Sequence, residues 1–211
     1  KNKYTAIHKY NQKIKIRHLL TMQSGLDADT DRSETPGSAG NWIGLDNWKD
    51  YILGISLTSK PGEKWVYADI NPLLIAIIIE EKSGMSLSDY AKEKLFDPLG
   101  ITQFFWYTNA SNQTGAAGNL YLNTLDFAKL GVLVANEGKW QGEQIINADY
   151  ISDLVTTKVS GVSDWWSLAD SYGFFWYKSK RTFAGKTYEY LFASGNGGNH
   201  LVVIPEHEMV I

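Results

Sequence analysis

The chain has 211 residues, of which 44% are hydrophobic and 20% are charged, and this composition excludes a disordered protein. The absence of cysteine excludes disulfide scaffolds, thiolate metal sites and a cysteine nucleophile. The net charge is −3, but residues 1–17 contain six basic side chains and no acidic one. The isoleucines within this run have the spacing of buried positions, which favours a solvated face of the fold over a nucleic-acid-binding arm.

The first part of the chain predicts one short helix and a long loop. Apolar residues at helical spacing predict a helix over Ile14–Met22. The segment Asp27–Gly44 is rich in Asp, Ser, Thr and Gly, which predicts a flexible surface loop. Lys64–Tyr67 then predicts a brief extended piece.

Four further helices are predicted after this piece. The first covers Leu73–Lys82, with Asn71 as its cap and Pro72 in its first position, and it is expected to end at Ser83 and Gly84. Its apolar run, Leu73–Ile79, is seven residues long, whereas a membrane span needs about 20, so we expect no span. The remaining predicted helices are Ser86–Leu95 with a capping box of Ser86 and Asp89, Leu125–Asn136 capped by Thr124, and Ala148–Thr157 capped by Asn147.

Strand patterns follow at the end of the chain. Aromatic and β-branched runs at Phe174–Tyr177, Tyr188–Phe192 and Leu201–Ile204 predict three or four strands. Helices followed by a strand meander indicate an α+β fold, with an antiparallel sheet packed against a helical layer. The chain opens without Met and stops within an apparent strand, so we expect residues 1–211 to form one partial domain of a longer protein, truncated at both ends.

The residues alone do not reveal a catalytic nucleophile. No serine precedes a lysine by three positions, and no Gly-x-Ser-x-Gly occurs. The glycine-rich run Ser194–Asn199 lacks the Lys-Ser/Thr of a phosphate-binding loop and predicts a tight turn between strands. The four histidines have no metal-binding spacing, so we expect no metal and no cofactor.

Five segments in register resemble one protein family. They are residues 16–26 (IRHLLTMQSGL), 61–67 (PGEKWVY), 95–101 (LFDPLGI), 118–131 (GNLYLNTLDFAKLG), and 193–198 (ASGNGG) together with 203–206 (VIPE). In this order they resemble the serine β-lactamase-related hydrolases, which include class C β-lactamases, D-alanyl-D-alanine carboxypeptidases, esterases and amidases. The resemblance implies a β-lactamase/transpeptidase-like fold. It also implies that the nucleophile lies in a Ser-x-x-Lys motif upstream of this chain, which alone should be inactive.

The resemblance implies roles for two residues before the predicted helix. The family's Tyr-x-Asn motif falls on Tyr67 to Asp69, so Tyr67 would be the general base, because a phenol near a lysine loses its proton more easily. Asp69 departs from the asparagine of the motif, and as a carboxylate it would hold that lysine charged. Asn71 is an alternative source of the amide. Without the resemblance, an ordinary core tyrosine is the simpler interpretation of Tyr67.

The family's Lys-Thr-Gly motif aligns with Ala193 to Gly195. Ser194 would donate a hydrogen bond to the substrate, Gly195 would let the substrate lie close to the strand, and the N–H of Asn196 would be an oxyanion donor. Ala193 lacks the cation that binds a substrate carboxylate, which favours esters or amides over antibiotics. Trp106 and Trp166 are candidates for the lining of the cleft, since both lie in loop-like stretches.

The implied partner is a small ester, amide or peptide-like substrate, with no nucleic acid and no membrane span. The oligomeric state is open, and the family favours a periplasmic or secreted location. Two alternatives to a hydrolase remain. A non-catalytic binding or sensor domain of the same fold would explain Asp69 and Ala193, and the tryptophans alone suggest an unrelated carbohydrate-binding module.

Overall fold

The computed structural model describes residues 13–211, apart from the side chains of residues 164 and 165. Most of the basic run at the start of the sequence lies outside the described residues. The chain divides into two compact units. The first unit holds the described residues up to Tyr90 together with Trp106–Leu120, and the second holds Ala91–Phe105 and Tyr121–Ile211. None of the helices within residues 13–211 has the length and apolar character needed to cross a membrane.

The first unit is built from helices around a hydrophobic core. Its helices are α1 (Ile16–Leu20), α2 (Ala39–Trp42), α3 (Trp48–Ile52), α4 (Ile70–Ser83) and the start of α5 (Leu87–Ala91). Trp42 and Trp48 meet edge to face with ring centroids 5.3 Å apart, the favoured geometry for paired aromatic rings. Ile70 and Leu73 bring α4 onto the same cluster, and both are almost fully buried.

The second unit packs helices on an antiparallel sheet. A π-helical turn, Lys92–Phe96, continues α5, and the later helices are α6 (Thr124–Ala135), α7 (Ala148–Thr156) and α8 (Val162–Trp165). The five strands of the sheet lie in chain order: β5 (Ser171–Gly173), β6 (Trp176–Phe183), β7 (Lys186–Gly195), β8 (Asn199–Ile204) and β9 (Met209–Val210). A short 3-10 helix, Pro205–His207, joins the last two strands. Along the chain, two small sheets precede the five-stranded one: β1 (Phe104–Trp106) with β2 (Leu120–Leu122), at the two positions where the chain passes from one unit to the other, and β3 (Lys139–Trp140) with β4 (Glu143–Gln144) in the second unit.

Helix α6 fits closely against this sheet through Gly131. A Cβ atom at Gly131 would lie 2.6 Å from Val210 Cγ1 and 3.1 Å from Leu201 Cδ1, so only glycine allows this approach. The predicted arrangement, an antiparallel sheet packed against helices, is therefore confirmed. The prediction of three or four strands was too low, because β5 and β9 are short and carry little pattern of their own.

Most predicted helices are present, but two of their caps were wrong. Helix α4 begins at Ile70 with Asp69 as its N-cap, so Asn71 and Pro72 lie inside its first turn. Its predicted end is confirmed, because Gly84 takes a left-handed φ of 72° after Ser83. The cap of α6 is Asn123, since its Oδ1 accepts the N–H of Asp126 at 2.9 Å.

Two other predicted caps are confirmed. Asn147 Oδ1 accepts the N–H groups of Asp149 and Tyr150 at 2.7 and 3.3 Å at the start of α7. Ser86 Oγ accepts the N–H of Asp89 at 3.1 Å at the start of α5. In both places the capping side chain has no competing neighbour of the same kind directly before or after it.

Two irregular segments differ from prediction. The expected surface loop Asp27–Gly44 contains α2 and buries Ala28 and Trp42 in the core, so it is a packed part of the first unit. Lys64–Tyr67 forms no strand.

The aromatic run that predicted a strand at Phe174 instead begins with a hairpin turn. Gly173 pairs with Trp176, which leaves Phe174 and Phe175 as the two central residues of the turn, with φ of 54° and 65°. Left-handed φ at both central residues is the requirement of a two-residue hairpin of type I′. The Phe174 ring meets Tyr150 edge to face at 5.3 Å and is 5% exposed, so its burial offsets the backbone strain.

Candidate active site

The Tyr67 to Asp69 segment lies directly before α4 in the first unit. Ala68 belongs to the hydrophobic core and is 3% exposed. Tyr67 and Asp69 on either side of it are only partly buried, and the Tyr67 ring lies 6.3 Å from that of Trp65. The core residue thus anchors the segment, while both candidate side chains keep contact with solvent.

Main-chain hydrogen bonds tie this segment to the run that follows α1. The N–H of Val66 donates to Met22 O at 2.9 Å, and the N–H of Gly62 donates to Gln23 O at 2.8 Å. Gly25 adopts a φ of 78°, and a Cβ there would lie 2.4 Å from Ser59 O. Segments 16–26 and 61–67 are therefore hydrogen-bonded to each other directly before Ala68. The main chain at position 25 lies so close to Ser59 that only glycine fits there.

Asp69 occupies an environment that favours the neutral carboxylic acid. Burial and the negative charge of Asp31 raise the pKa of the Asp69 carboxyl from 3.8 to about 6, although a hydrogen bond from the Thr30 side chain opposes this shift. Near pH 6 about half of the molecules therefore carry a protonated Asp69. A neutral carboxyl has a donor and an acceptor, as an asparagine amide does.

Asn71 is placed in the interior of the first unit. It is fully buried, and its Nδ2 lies 3.1 Å from Met22 Sδ. Within residues 13–211 its Oδ1 has no hydrogen-bond partner, which is a costly arrangement for a buried amide oxygen. The amide of Asn71 thus contacts Met22, whose carbonyl oxygen accepts the N–H of Val66, and does not face solvent.

Sequence reasoning missed Thr30. Its N–H donates to Tyr67 O at 3.0 Å, and its Oγ1 accepts the N–H of Asp69 at 3.0 Å. These contacts join residues that are 37 and 39 positions apart, within a segment predicted to be a flexible loop. No local pattern in the sequence could have revealed them.

Trp106 lies in the first unit and in a strand, β1, so its predicted loop location was wrong. Its Nε1 donates to the carbonyl oxygens of Gly115 and Gly118 at 3.0 and 3.2 Å. The indole is half-buried and held by the turn that these glycines form.

The other four candidates belong to the second unit. Trp166 follows α8 and meets Tyr177 and Phe192 edge to face at 4.9 and 5.4 Å, within an aromatic cluster on the sheet. Ser194 and Gly195 end β7, where they pair with His200 and Asn199.

Asn196 opens the tight turn that joins β7 to β8. Gly197 and Gly198 follow with φ of 96° and 86°, which confirms the predicted turn. Gly195 and Asn196 are exposed. Among the residues that the structure describes, a Cβ at Gly195 would meet nothing closer than 3.9 Å, so their packing does not require glycine there.

Comparisons with known proteins agree with the sequence landmarks. The N-acetylmuramyl-L-alanine amidase of Bacillus subtilis (strain 168) is 33% identical over 95 residues, which are 44% of this chain and 21% of that protein. The octameric penicillin-binding protein homologue from Pyrococcus abyssi has a TM-score of 0.66 at 22% identity, over 98% of this chain and 55% of that one. A D-stereospecific amidohydrolase from Streptomyces sp. has a TM-score of 0.68 at 17% identity, over 94% of this chain and 66% of that one.

These matches cover this chain more fully than they cover the relatives. The chain spans about a fifth of the length of that amidase and about half of that penicillin-binding protein homologue. The solved structures confirm the predicted β-lactamase/transpeptidase-like α+β fold. The sequence profile of the Beta-lactamase family matches residues 5–211, nearly the whole chain. The chain therefore belongs to the Beta-lactamase family.

Proposed function

We propose that the full-length protein is a serine hydrolase that forms an acyl-enzyme and prefers esters or amides to β-lactams with a free carboxylate. The observation that carries this proposal is the position of Tyr67, which is partly exposed and fixed by hydrogen bonds before α4. The family match and the relative named as an N-acetylmuramyl-L-alanine amidase support the cleavage of an amide or peptide-like bond.

The proposed first step transfers one proton. The serine of the expected upstream Ser-x-x-Lys segment bonds to the carbonyl carbon of the substrate, and its hydroxyl proton passes to the Tyr67 phenolate. A neighbouring lysine ammonium would favour the phenolate form that this step needs. Tyr67 then returns the proton to the leaving alcohol or amine as the scissile bond breaks. In the second half of the reaction a water molecule attacks the acyl carbonyl carbon and gives its proton to the Tyr67 phenolate. Tyr67 then returns this proton to the serine oxygen as the acyl–serine bond breaks.

The end of β7 would hold the acyl group of the substrate. The N–H of Asn196 would stabilise the developing oxyanion, and Ser194 would hydrogen-bond the substrate. Gly195 is consistent with close substrate approach, because packing within the chain gives no other reason for glycine there. Trp106 and Trp166 remain candidates for substrate contact, each within its own unit, and the contacts of each there would also suit a purely structural role.

The Tyr67 role is tested with Tyr67→Phe in the full-length protein. The general acid–base contribution predicts that kcat for a neutral ester falls about 10²- to 10⁴-fold. The ring is kept, so the melting temperature should change little. Tyr121→Phe is the matched control, because Tyr121 is 61% exposed. Retention of more than about a tenth of wild-type kcat in Tyr67→Phe would transfer the general-base role to another group.

The substrate preference is tested by comparing kcat/KM for p-nitrophenyl acetate and nitrocefin. Without a lysine at position 193, a substrate carboxylate loses a charge-assisted hydrogen bond worth about 1.5 to 3 kcal/mol, or about ten- to a hundredfold in kcat/KM. Ala193→Lys should move the ratio towards nitrocefin by that factor. A wild-type ratio that favours nitrocefin would contradict the preference.

A non-catalytic binding or sensor domain is the second candidate, because Asp69 and Ala193 both depart from the family motifs. It predicts that the full-length protein binds a peptide-like or β-lactam ligand without turnover. An upstream sequence without Ser-x-x-Lys would favour it, whereas a Ser-x-x-Lys about 50 to 70 residues before Tyr67 would favour the hydrolase.

A further inference from the structure

Thr30 contacts both ends of the Tyr67 to Asp69 segment. Its main-chain N–H donates to Tyr67 O, and its Oγ1 accepts the N–H of Asp69, each at 3.0 Å. One residue thus binds the main-chain carbonyl at one end of the segment and the main-chain N–H at the other.

The loop around Thr30 is fixed by its own contacts. Thr35 Oγ1 bonds the carbonyl oxygens of Asp29 and Arg32 at 2.9 and 3.0 Å, and Thr35 is buried. The N–H of Gly37 donates to Asp27 O at 3.0 Å, and a Cβ at Gly37 would overlap Ala28. The position of Thr30 is therefore set by a closed, packed loop.

We propose that Thr30 is a positioning residue of the active site: its N–H fixes the main chain of Tyr67, and its hydroxyl fixes the main chain of Asp69. The inference rests on the proposed hydrolase function, in which Tyr67 transfers the proton. Thr30 itself touches no reacting atom. It acts through the two residues that it holds.

The electrostatics of the loop give Thr30 a second effect. Asp31, on the same loop, is the charged neighbour that raises the pKa of Asp69, whereas the Thr30 hydrogen bond lowers it. Removal of the hydroxyl should therefore favour the protonated acid at Asp69. A hydrogen bond to a charged group corresponds to a shift of about one pH unit.

Two variants of the full-length protein separate the hydroxyl from the shape of the side chain. Thr30→Val keeps the shape and the main-chain N–H but removes the hydroxyl, whereas Thr30→Ser keeps the hydroxyl. The first measurement follows the Asp69 carboxyl by NMR in protein labelled with ¹³C-aspartate, assigned with Asp69→Asn. The second is the pH profile of kcat/KM for a neutral ester.

We expect the Asp69 titration midpoint to rise by about one pH unit in Thr30→Val and to stay at the wild-type value in Thr30→Ser. The part of the pH profile of kcat/KM that depends on Asp69 ionisation should shift to higher pH by the same amount. The value of kcat should fall at least about tenfold in Thr30→Val but not in Thr30→Ser. Midpoints of both variants within about 0.2 pH units of the wild type would overturn the proposed contact.

The two measurements also distinguish failure of the proposed function. A shifted titration with an unchanged kcat and pH profile would show that Thr30 holds Asp69 without serving catalysis, which overturns the positioning role. A shifted titration in a full-length protein that hydrolyses no ester, amide or β-lactam would overturn the hydrolase proposal and, with it, the catalytic role of Thr30.

Discussion

Asp69→Asn should stabilise the 211-residue chain by an amount that depends on pH. Folding raises the pKa of the Asp69 carboxyl from 3.8 to about 6, so the folded state binds the proton more tightly than the unfolded state. The stability that this proton provides is present below about pH 4 and is lost as the pH rises through 6. The shift corresponds to at most about 3 kcal/mol, because one unit is worth about 1.4 kcal/mol.

The asparagine variant never carries the buried charge. Its free energy of unfolding should match that of the wild type at pH 4 and exceed it by up to about 3 kcal/mol at pH 8. For a protein of this size or larger, that difference corresponds to roughly 6 to 12 °C in melting temperature. Urea denaturation at pH 4, 6 and 8 measures the difference directly. The other titrating groups contribute the same pH dependence to the unfolding free energy of variant and wild type, so their contributions cancel in the difference.

Asp126→Asn is the control of opposite sign. Hydrogen bonds from Lys129 and Asn123 hold the pKa of the Asp126 carboxyl below its usual value. The stability from this group is present at neutral pH and is lost on acidification, so Asp126→Asn should destabilise the protein more at pH 8 than at low pH. A pH-independent effect of Asp69→Asn, or a larger stabilisation at pH 4, would refute the assigned environment of Asp69.

Two further predictions concern the fold and are measured by chemical denaturation. Gly131→Ala should cost about 1 to 3 kcal/mol, because its Cβ would overlap Val210, whereas Gly40→Ala, in helix α2 with open space around it, should be neutral or stabilising; equal effects would contradict the packing of α6. Asn147→Ala should cost about 1 kcal/mol through loss of the α7 cap, and a cost below a few tenths would show that the cap contributes little.

The sequence predicted elements well where a residue has one structural role. Gly84 ends α4 because glycine takes a left-handed φ without strain, and Asn147 caps α7 because its neighbours do not compete. The prediction failed where two adjacent residues could serve. Asn123 and Thr124 can both cap a helix, and the choice depends on how α6 packs against the sheet, which no local pattern records.

Tertiary packing explains the other differences. Helix α4 begins at Ile70 because Ile70 is a fully buried core residue, and this moves the cap from Asn71 to Asp69. Phe174 occupies a turn in spite of its strand propensity, since burial of its ring stabilises the strained backbone. In the candidate site, family landmarks located Tyr67 and Asp69, but the contacts of Thr30 bridge nearly 40 positions and appear only in three dimensions.

The two departures from the family motifs change charge in the same direction. Ala193 removes a positive charge, and Asp69 adds a negative one whenever it is ionised. In the proposed hydrolase, each change alone would disfavour an anionic substrate, so together they would favour neutral or cationic ones. The charge at Asp69 also depends on pH. Its pKa of about 6 makes the side chain neutral well below pH 6 and negative at pH 8. Thr30 opposes that neutralisation, so in the proposed site the loop would set the pH range over which Asp69 could replace an asparagine.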